Sequence, residues 1–436
     1  MFFTNPEPME YMNMANDSNH TDTPYAAFVA IDWADQKHVF SLQAAGRSKK
    51  ETGTLEQKPE CIGPWVAQLR KRFKNRPVAV AVEQSRGALI HALLAYDFLV
   101  LYPLHPNTVA NFRKAFKSSG AKSDPLDADQ ILQILTKHRD QLTPLRPDTA
   151  ATRLLARLVA DRRKAVDLRT GHVQALEASL KEYFPQALQL CQGNLTSRLA
   201  GDLLKKWPTA EALRQAKPSR LKKFYYGHNI RSPQLIERVL ELARTAQPLT
   251  TDPAIVESGC RLSQVHAQMI QTLNPIIADY EQRIQQVFDE HPENPLFAHL
   301  PGAGAALAPR LVAFFGTDRE RFQTAGNVLS FTGIAPISKK SGQTNLVHFR
   351  MACPKFARQT FHEFARLSIQ DCQWARNYVD YYTAERRKFH AIIRVLAFKW
   401  IRILFKCWKD RTPYDESRYM AMLKKRGSIF ATFHLQ

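Results

Sequence analysis

The 436-residue chain has no CxxC pair. Its six cysteines, Cys61, Cys191, Cys260, Cys353, Cys372 and Cys407, are scattered. That excludes a zinc ribbon and a disulfide framework, and it fits a reducing compartment. A long apolar run is also missing. The most apolar late stretch, Ala391 to Trp408, is broken by Arg394, Lys399, Arg402 and Lys406. It is too short and too charged to cross a bilayer and reads as a basic amphipathic helix, so no membrane partner is expected. Residues 1–24 contain no Lys or Arg, only Glu7, Glu10, Asp17 and Asp22 among the charged types. With their Asn, Ser, Thr and Pro they read as a disordered acidic tail, and no signal-peptide pattern is visible. No His–Asp spacing supports a hydrolase triad.

What is present in excess is positive charge. Sixty-one Lys and Arg against forty acids give a formal net charge of +21. Such an excess favours a polyanionic partner, with nucleic acid first. It is concentrated late: Arg386 to Arg426 holds thirteen basic residues against three acids. Hydrophobic types make up 44% of the chain, enough for two or three cored domains.

From Tyr25 the pattern is strand-like. Ala26–Asp32, His38–Gln43 and Glu51–Glu56 read as strands and Pro59–Phe73 as a helix. Pro77–Val82 reads as a buried strand, residues 88–96 as a helix and Phe98–Leu104 as a strand. A further helix opens at Asp124. This β-β-β-α-β-α-β-α order suits a mixed sheet flanked by helices. Two long helical segments follow, about 152–184 and 262–287. Val166, Val173 and Leu180 are seven apart, as are Leu262, Met269 and Ile276, which predicts an antiparallel helical pair or a dimerising coiled coil. Residues 185–250 between them read as helical and basic. A third unit begins near Asn294, with a helix over 305–315 and a helical, basic end. The expected divisions are a tail at 1–24, an α/β domain at 25–145, a helical linker and dimerisation region at 150–293, a domain at 294–390 and a basic helical tail at 391–436. The fold class expected is α/β plus α.

Four acids carry the first candidate chemistry. Asp32 ends the first strand and Glu83 follows the PVAVAV strand. Asp124 and Asp127 sit three apart on one helix face. Strand ends converge at one sheet edge, and a docked helix adds its own acids. A hard cation such as Mg2+, or Mn2+ in its place, takes such oxygen donors and serves phosphoryl transfer. Each acid also has a structural reading: a strand end for Asp32, an ion pair with Arg86 for Glu83, an N-cap for Asp124, the helix dipole for Asp127. Asp129 lies off the shared face and reads as solvated. A second candidate is Pro301-Gly302-Ala303-Gly304 ahead of a helix. There backbone N–H groups can meet phosphate as in helix-hairpin-helix units; an ordinary turn is the alternative. The third is Ser338-Lys339-Lys340-Ser341-Gly342, a serine nucleophile beside phosphate-steering lysines or else a polar loop. The aromatics Phe398, Trp400, Phe405 and Trp408 read equally as base-stacking groups or as core.

Val29-Ala30-Ile31-Asp32, Val80-Ala81-Val82-Glu83 and Lys122-Ser123-Asp124-Pro125-Leu126-Asp127-Ala128 together resemble the DEDD transposases of bacterial insertion sequences. Leu300 to Gly304, Phe331 to Pro336 and Ser341-Gly342 resemble that family's second domain. The resemblance spans roughly residues 25–140 and 295–365. It implies a RuvC-like, ribonuclease H-like N-terminal domain whose four acids bind Mg2+. It implies a serine nucleophile, matched by Ser341 ahead of Ser338 because Gly342 follows, that links covalently to DNA. It implies an active site shared between subunits of a homodimer or homotetramer, and a structured guide RNA beside donor and target DNA. It places the protein in the bacterial cytoplasm, near the nucleoid. Where the family has a Lys-Arg-Gly-like turn, this chain has Phe349 to Lys355, with Arg350 and Lys355 in the basic role. The expected activity is therefore metal-dependent DNA cleavage and rejoining. The alternatives are a Mg-dependent resolvase or nuclease using water, and a non-catalytic nucleic-acid-binding protein.

Overall fold

The computed structural model describes residues 25–84, 87–116, 124–342 and 344–433. The predicted acidic tail lies outside them. The chain divides into two compact units. One joins the N-terminal residues through Arg153 to the C-terminal residues from Pro292, and the other is Leu154–His291.

The N-terminal part of the first unit is a five-stranded sheet: β1 (Ala27–Asp32), β2 (Lys37–Ala44), β3 (Lys50–Glu56), β4 (Val78–Val82) and β5 (Leu99–Pro103). Their spatial order is β3-β2-β1-β4-β5. β1–β2 and β2–β3 pair antiparallel, whereas β1–β4 and β4–β5 pair parallel. The helices are α1 (Pro59–Arg72), α2 (Ala88–Leu93), α3 (Pro106–Phe116) and α4 (Asp124–Lys137). Side chains alternate across the sheet. Val29, Ile31, Val78, Val80 and Val82 share one core with Ile62, Val66, Leu89 and Leu93 of α1 and α2. Ala30, Ala79 and Ala81 face Ile131, Leu132 and Leu135 of α4. Alanine on that face leaves room for α4 to lie close to the sheet. β4 is buried on both faces, which explains its unbroken apolar run. The expected mixed sheet and its strand order in sequence are observed. The helix α3 was not expected.

The second unit holds two long helices, α5 (Ala150–Tyr183, entering from the first unit) and α11 (Pro253–Asp289), with α6 (Gln186–Leu190), α7 (Arg198–Lys206), α8 (Ala210–Arg214), α9 (Pro218–Gly227) and α10 (Pro233–Thr245) between them. Caps mark several starts: the side chains of Ser197, Thr209, Ser232 and Asp252 accept from the first turn of α7, α8, α10 and α11. Arg162 bonds Glu281, Arg169 bonds Asn274 and Ser179 bonds Ser263. The numbers rise on one helix as they fall on the other, so the pair is antiparallel within one chain. The heptad positions behave differently from expectation. Leu262, Met269 and Ile276 are 43–49% exposed, and Val265 is 51% exposed. The buried positions of α11 include Ser263, Ile270, Ile277 and Ile284, one residue further along. Both sets repeat every seven residues, and packing chose the other one.

The C-terminal part of the first unit comprises α12 (Asn294–Phe297), α13 (Gly304–Phe315), α14 (Ala325–Phe331), a hairpin of β6 (Ile337–Ser341) and β7 (Thr344–His348), α15 (Lys355–Asp371), α16 (Gln373–Ala384), α17 (Phe389–Asp410) and α18 (Glu416–Lys425). Its core is aromatic: Phe314 and Phe315 pack against Phe361, and Phe315 against Trp408. Trp400 and Trp408 are fully buried. Their indole N–H groups donate to Ser368 Oγ at 2.8 Å and to the Gly316 carbonyl at 2.7 Å. Those two aromatics are core, not stacking platforms, and α17 is packed among α14, α15 and α16. Asp148, ahead of α5, accepts from Thr317 N at 2.9 Å and also bonds its hydroxyl. That ties the sheet-bearing part to the C-terminal helices.

Candidate active site: an acid-lined cleft and a serine hairpin

Parallel pairing of β1 with β4 sets Ile31 opposite Val82. The next residues, Asp32 and Glu83, therefore leave the sheet side by side at its C-terminal edge. They line a cleft of about 600 Å3 with Trp33, Lys37, Val109, Arg113 and Asp127, among others. Asp127 is 4% exposed, on the first turn of α4, where the apolar contacts of Ile131 and Leu135 hold the helix to the sheet. Three of the four predicted acids thus face one cleft. Asp124 opens α4, but its side chain lies outside the described residues, as does Arg86.

Asp127 already has a counter-charge. Arg113 of α3 donates through Nη2 to Asp127 Oδ1 at 2.6 Å and through Nε to Gln130 Oε1 at 3.2 Å. Sequence reading missed Arg113, because one arginine in an amphipathic helix carries no signature. Asp129, expected to be solvated, instead pairs with Lys50, the first residue of β3, at 2.5 Å. The acids offer only oxygen donors, the set a hard divalent cation takes. Among the described residues no three His, Cys, Asp or Glu side chains form a group that holds a metal as they stand, and Asp127 is occupied by Arg113.

The serine candidates sit on a hairpin that was not expected. Ser341 ends β6 opposite Thr344, and Gly342 turns the chain at φ +57°, a backbone that favours glycine. Ser338, Lys339, Lys340 and Ser341 are all exposed. Alternation along β6 puts Ser341 on the face of Lys339, and Ser338 on the opposite face with Lys340. Arg350 is half-buried, its Nε donating to the Ala335 carbonyl at 3.4 Å, and Lys355 is exposed at the start of α15. The two glycines at the start of α13, Gly302 just before it and Gly304 as its first residue, differ. At Gly302, φ is +75° and a Cβ would lie 2.5 Å from the Leu367 carbonyl carbon, so this glycine lets the turn press on α15. Around Gly304 the space is open.

With that geometry in view, the comparisons with known proteins are direct. Residues 29–185 match the IS110 DEDD transposase family model. Residues 294–380 match the model of the transposase IS116/IS110/IS902 family. Together they take in more than half of the chain. The chain belongs to the IS116/IS110/IS902 family of transposases. Similar proteins include the IS117 mini-circle protein of Streptomyces coelicolor, 27% identical over 91% of this chain and 97% of its own length. Another is the uncharacterized 44.8 kDa protein of insertion element IS116 from Streptomyces clavuligerus, 28% identical over 82% of this chain and 88% of its own. The first family match opens within β1 of this transposase and takes in the acid cleft. The second runs from α12 into α16 and takes in the serine hairpin. No helix among the described residues is long and apolar enough to cross a membrane.

Proposed function

We propose that this transposase cuts and rejoins DNA by metal-assisted transesterification, with Ser341 as the nucleophile. The observation that carries the reading is the shared cleft of Asp32, Glu83 and Asp127 at one sheet edge of a family transposase. The strand order with an antiparallel β1-β2-β3 half and a parallel β4-β5 half supports a ribonuclease H-like, RuvC-like domain. Asp32, Glu83 and Asp127, with Asp124, are the residues that would hold Mg2+ or Mn2+. The bound cation supplies charge neutralisation at the reacting phosphate. Loading it requires Asp127 to give up Arg113.

In the reaction the Ser341 hydroxyl oxygen attacks phosphorus, and the bond to the departing sugar oxygen breaks. The serine proton ends on that sugar oxygen. One phosphoester replaces another, so the step needs no external energy source and reverses to rejoin strands. Lys339, on the same strand face, draws in the phosphate and offsets its charge. The exposed Leu262, Val265, Met269 and Ile276 stripe on α11 is a seam for a second copy, giving the homodimer or homotetramer in which one subunit's acids serve another's serine. The +21 charge accommodates a structured guide RNA as well as DNA.

The test is a covalent protein–DNA adduct. Incubation with element-end DNA and Mg2+, followed by denaturing gel electrophoresis, should yield an adduct that Ser341→Ala abolishes and Ser338→Ala leaves intact. Cleaved DNA ends without any adduct would mean that water attacks and Ser341 is structural.

A further inference from the structure

We infer that Arg358 and Arg394, both set over the Phe349 ring at the foot of the serine hairpin, form a clamp for a DNA backbone phosphate. This rests on the strand-transfer reading above and names how the second domain grips its substrate. Phe349 follows β7 directly, eight residues beyond Ser341 along the hairpin. Arg358 lies on α15 and Arg394 on α17, with their guanidinium carbons 4.3 and 4.6 Å from the ring centroid. The end of the hairpin, the neighbouring α15 and the more distant α17 therefore meet at one ring that is 38% exposed.

Among the described residues the cluster has no carboxylate partner. Neither Arg358 nor Arg394 pairs with a carboxylate among the described residues; nearby Glu363 is taken by Arg310 at 2.5 Å. Arg358 Nη2 donates to the Arg350 carbonyl at 2.5 Å and contacts Cys353 Sγ, while its Nε is buried with no acceptor. A half-buried guanidinium with an unmet N–H costs free energy unless something fills the position. His362 lies in the same field: burial, then Arg394, Arg358 and His390, push it down to about 4. Four cationic or ionisable groups held together without a counter-charge among the described residues mark a place prepared for one. A phosphodiester suits it, because guanidinium forks match phosphate oxygens.

The backbone is built around this arrangement. Gly333 sits at φ +68°, and a Cβ there would come within 2.6 Å of Cys353 Sγ and 2.8 Å of Arg358 Nη2. Only glycine leaves Arg358 its place.

Arg394 is exposed and makes no side-chain hydrogen bond among the described residues, so Arg394→Gln should fold. Fluorescence anisotropy with a labelled DNA duplex, in the absence of divalent metal, reads binding alone. Arg394→Gln should weaken binding roughly five- to tenfold at low salt and lower the slope of log affinity against log salt by about 0.9. Arg394→Lys should keep the slope. Lys205→Gln, the same charge change on α7, should move affinity less than twofold. Wild-type affinity and slope in Arg394→Gln would overturn the inference, as would an equal loss in Lys205→Gln. A loss seen with an RNA duplex but not with DNA would overturn the assignment to DNA. Because this assay holds no divalent metal and reads binding without chemistry, failure of the clamp and failure of the serine chemistry are separate results.

Discussion

Single residues decide the site through what they exclude. Gly302 and Gly333 are the clearest cases, each at positive φ with no room for a Cβ. Gly302→Ala should cost on the order of 3 kcal/mol through backbone strain and a clash with the α15 backbone. Chemical denaturation would show it, and a midpoint unchanged from wild type would refute the packing role. His362 gives a pH signature. Its folded ionisation lies near 4, below the ordinary 6.5, so the unfolded chain binds more protons between those values. Its contribution is fully present above about pH 6.5 and drains away as pH falls through about 4. Arg394→Gln removes one of the causes and should raise the His362 value, measurable by NMR titration. Saturating DNA should raise it too, if phosphate enters the clamp. The acids were readable in the sequence because each sits at a strand end or in a helix's first turn. Arg113 was not, since its meaning arises only when α3 brings it to Asp127.

Among elements, the sheet was the most legible part. An unbroken PVAVAV run and two alternating strands leave few other arrangements, and the parallel register then sets Asp32 beside Glu83. The helix α3 was overlooked although Pro106 stands at its start, because Val109 and Phe112 make only a thin stripe. The hairpin β6–β7 was overlooked because β6 is polar and exposed after Ile337, while Leu346 and Val347 of β7 are adjacent and both exposed, so no inside–outside alternation marks it. On α11 two stripes of the same period compete, and spacing alone does not tell which one faces inward. Its consequence is testable. Met269→Glu with Ile276→Glu places charge on the exposed seam and spares Ile270 and Ile277. Sedimentation should show a smaller assembly than wild type; an unchanged mass would remove this seam as the interface.

The whole molecule is a strongly cationic protein whose sheet-bearing part and C-terminal helices form one compact unit, with Asp148 bonding Thr317 between them. The central claim is that the acid cleft and the hairpin serine act in one reaction. Charge at this scale belongs to binding, and the acids belong to chemistry, so the two should separate cleanly. The decisive measurement is adduct formation on element-end DNA with Mg2+ in Asp32→Asn and Glu83→Gln, alongside DNA affinity for the same variants. Both variants should bind DNA at least as tightly as wild type while forming roughly a hundredfold less adduct, with a chelator having the same effect on wild type. Adduct at the wild-type level in either variant would contradict a carboxylate-held metal as the partner of Ser341.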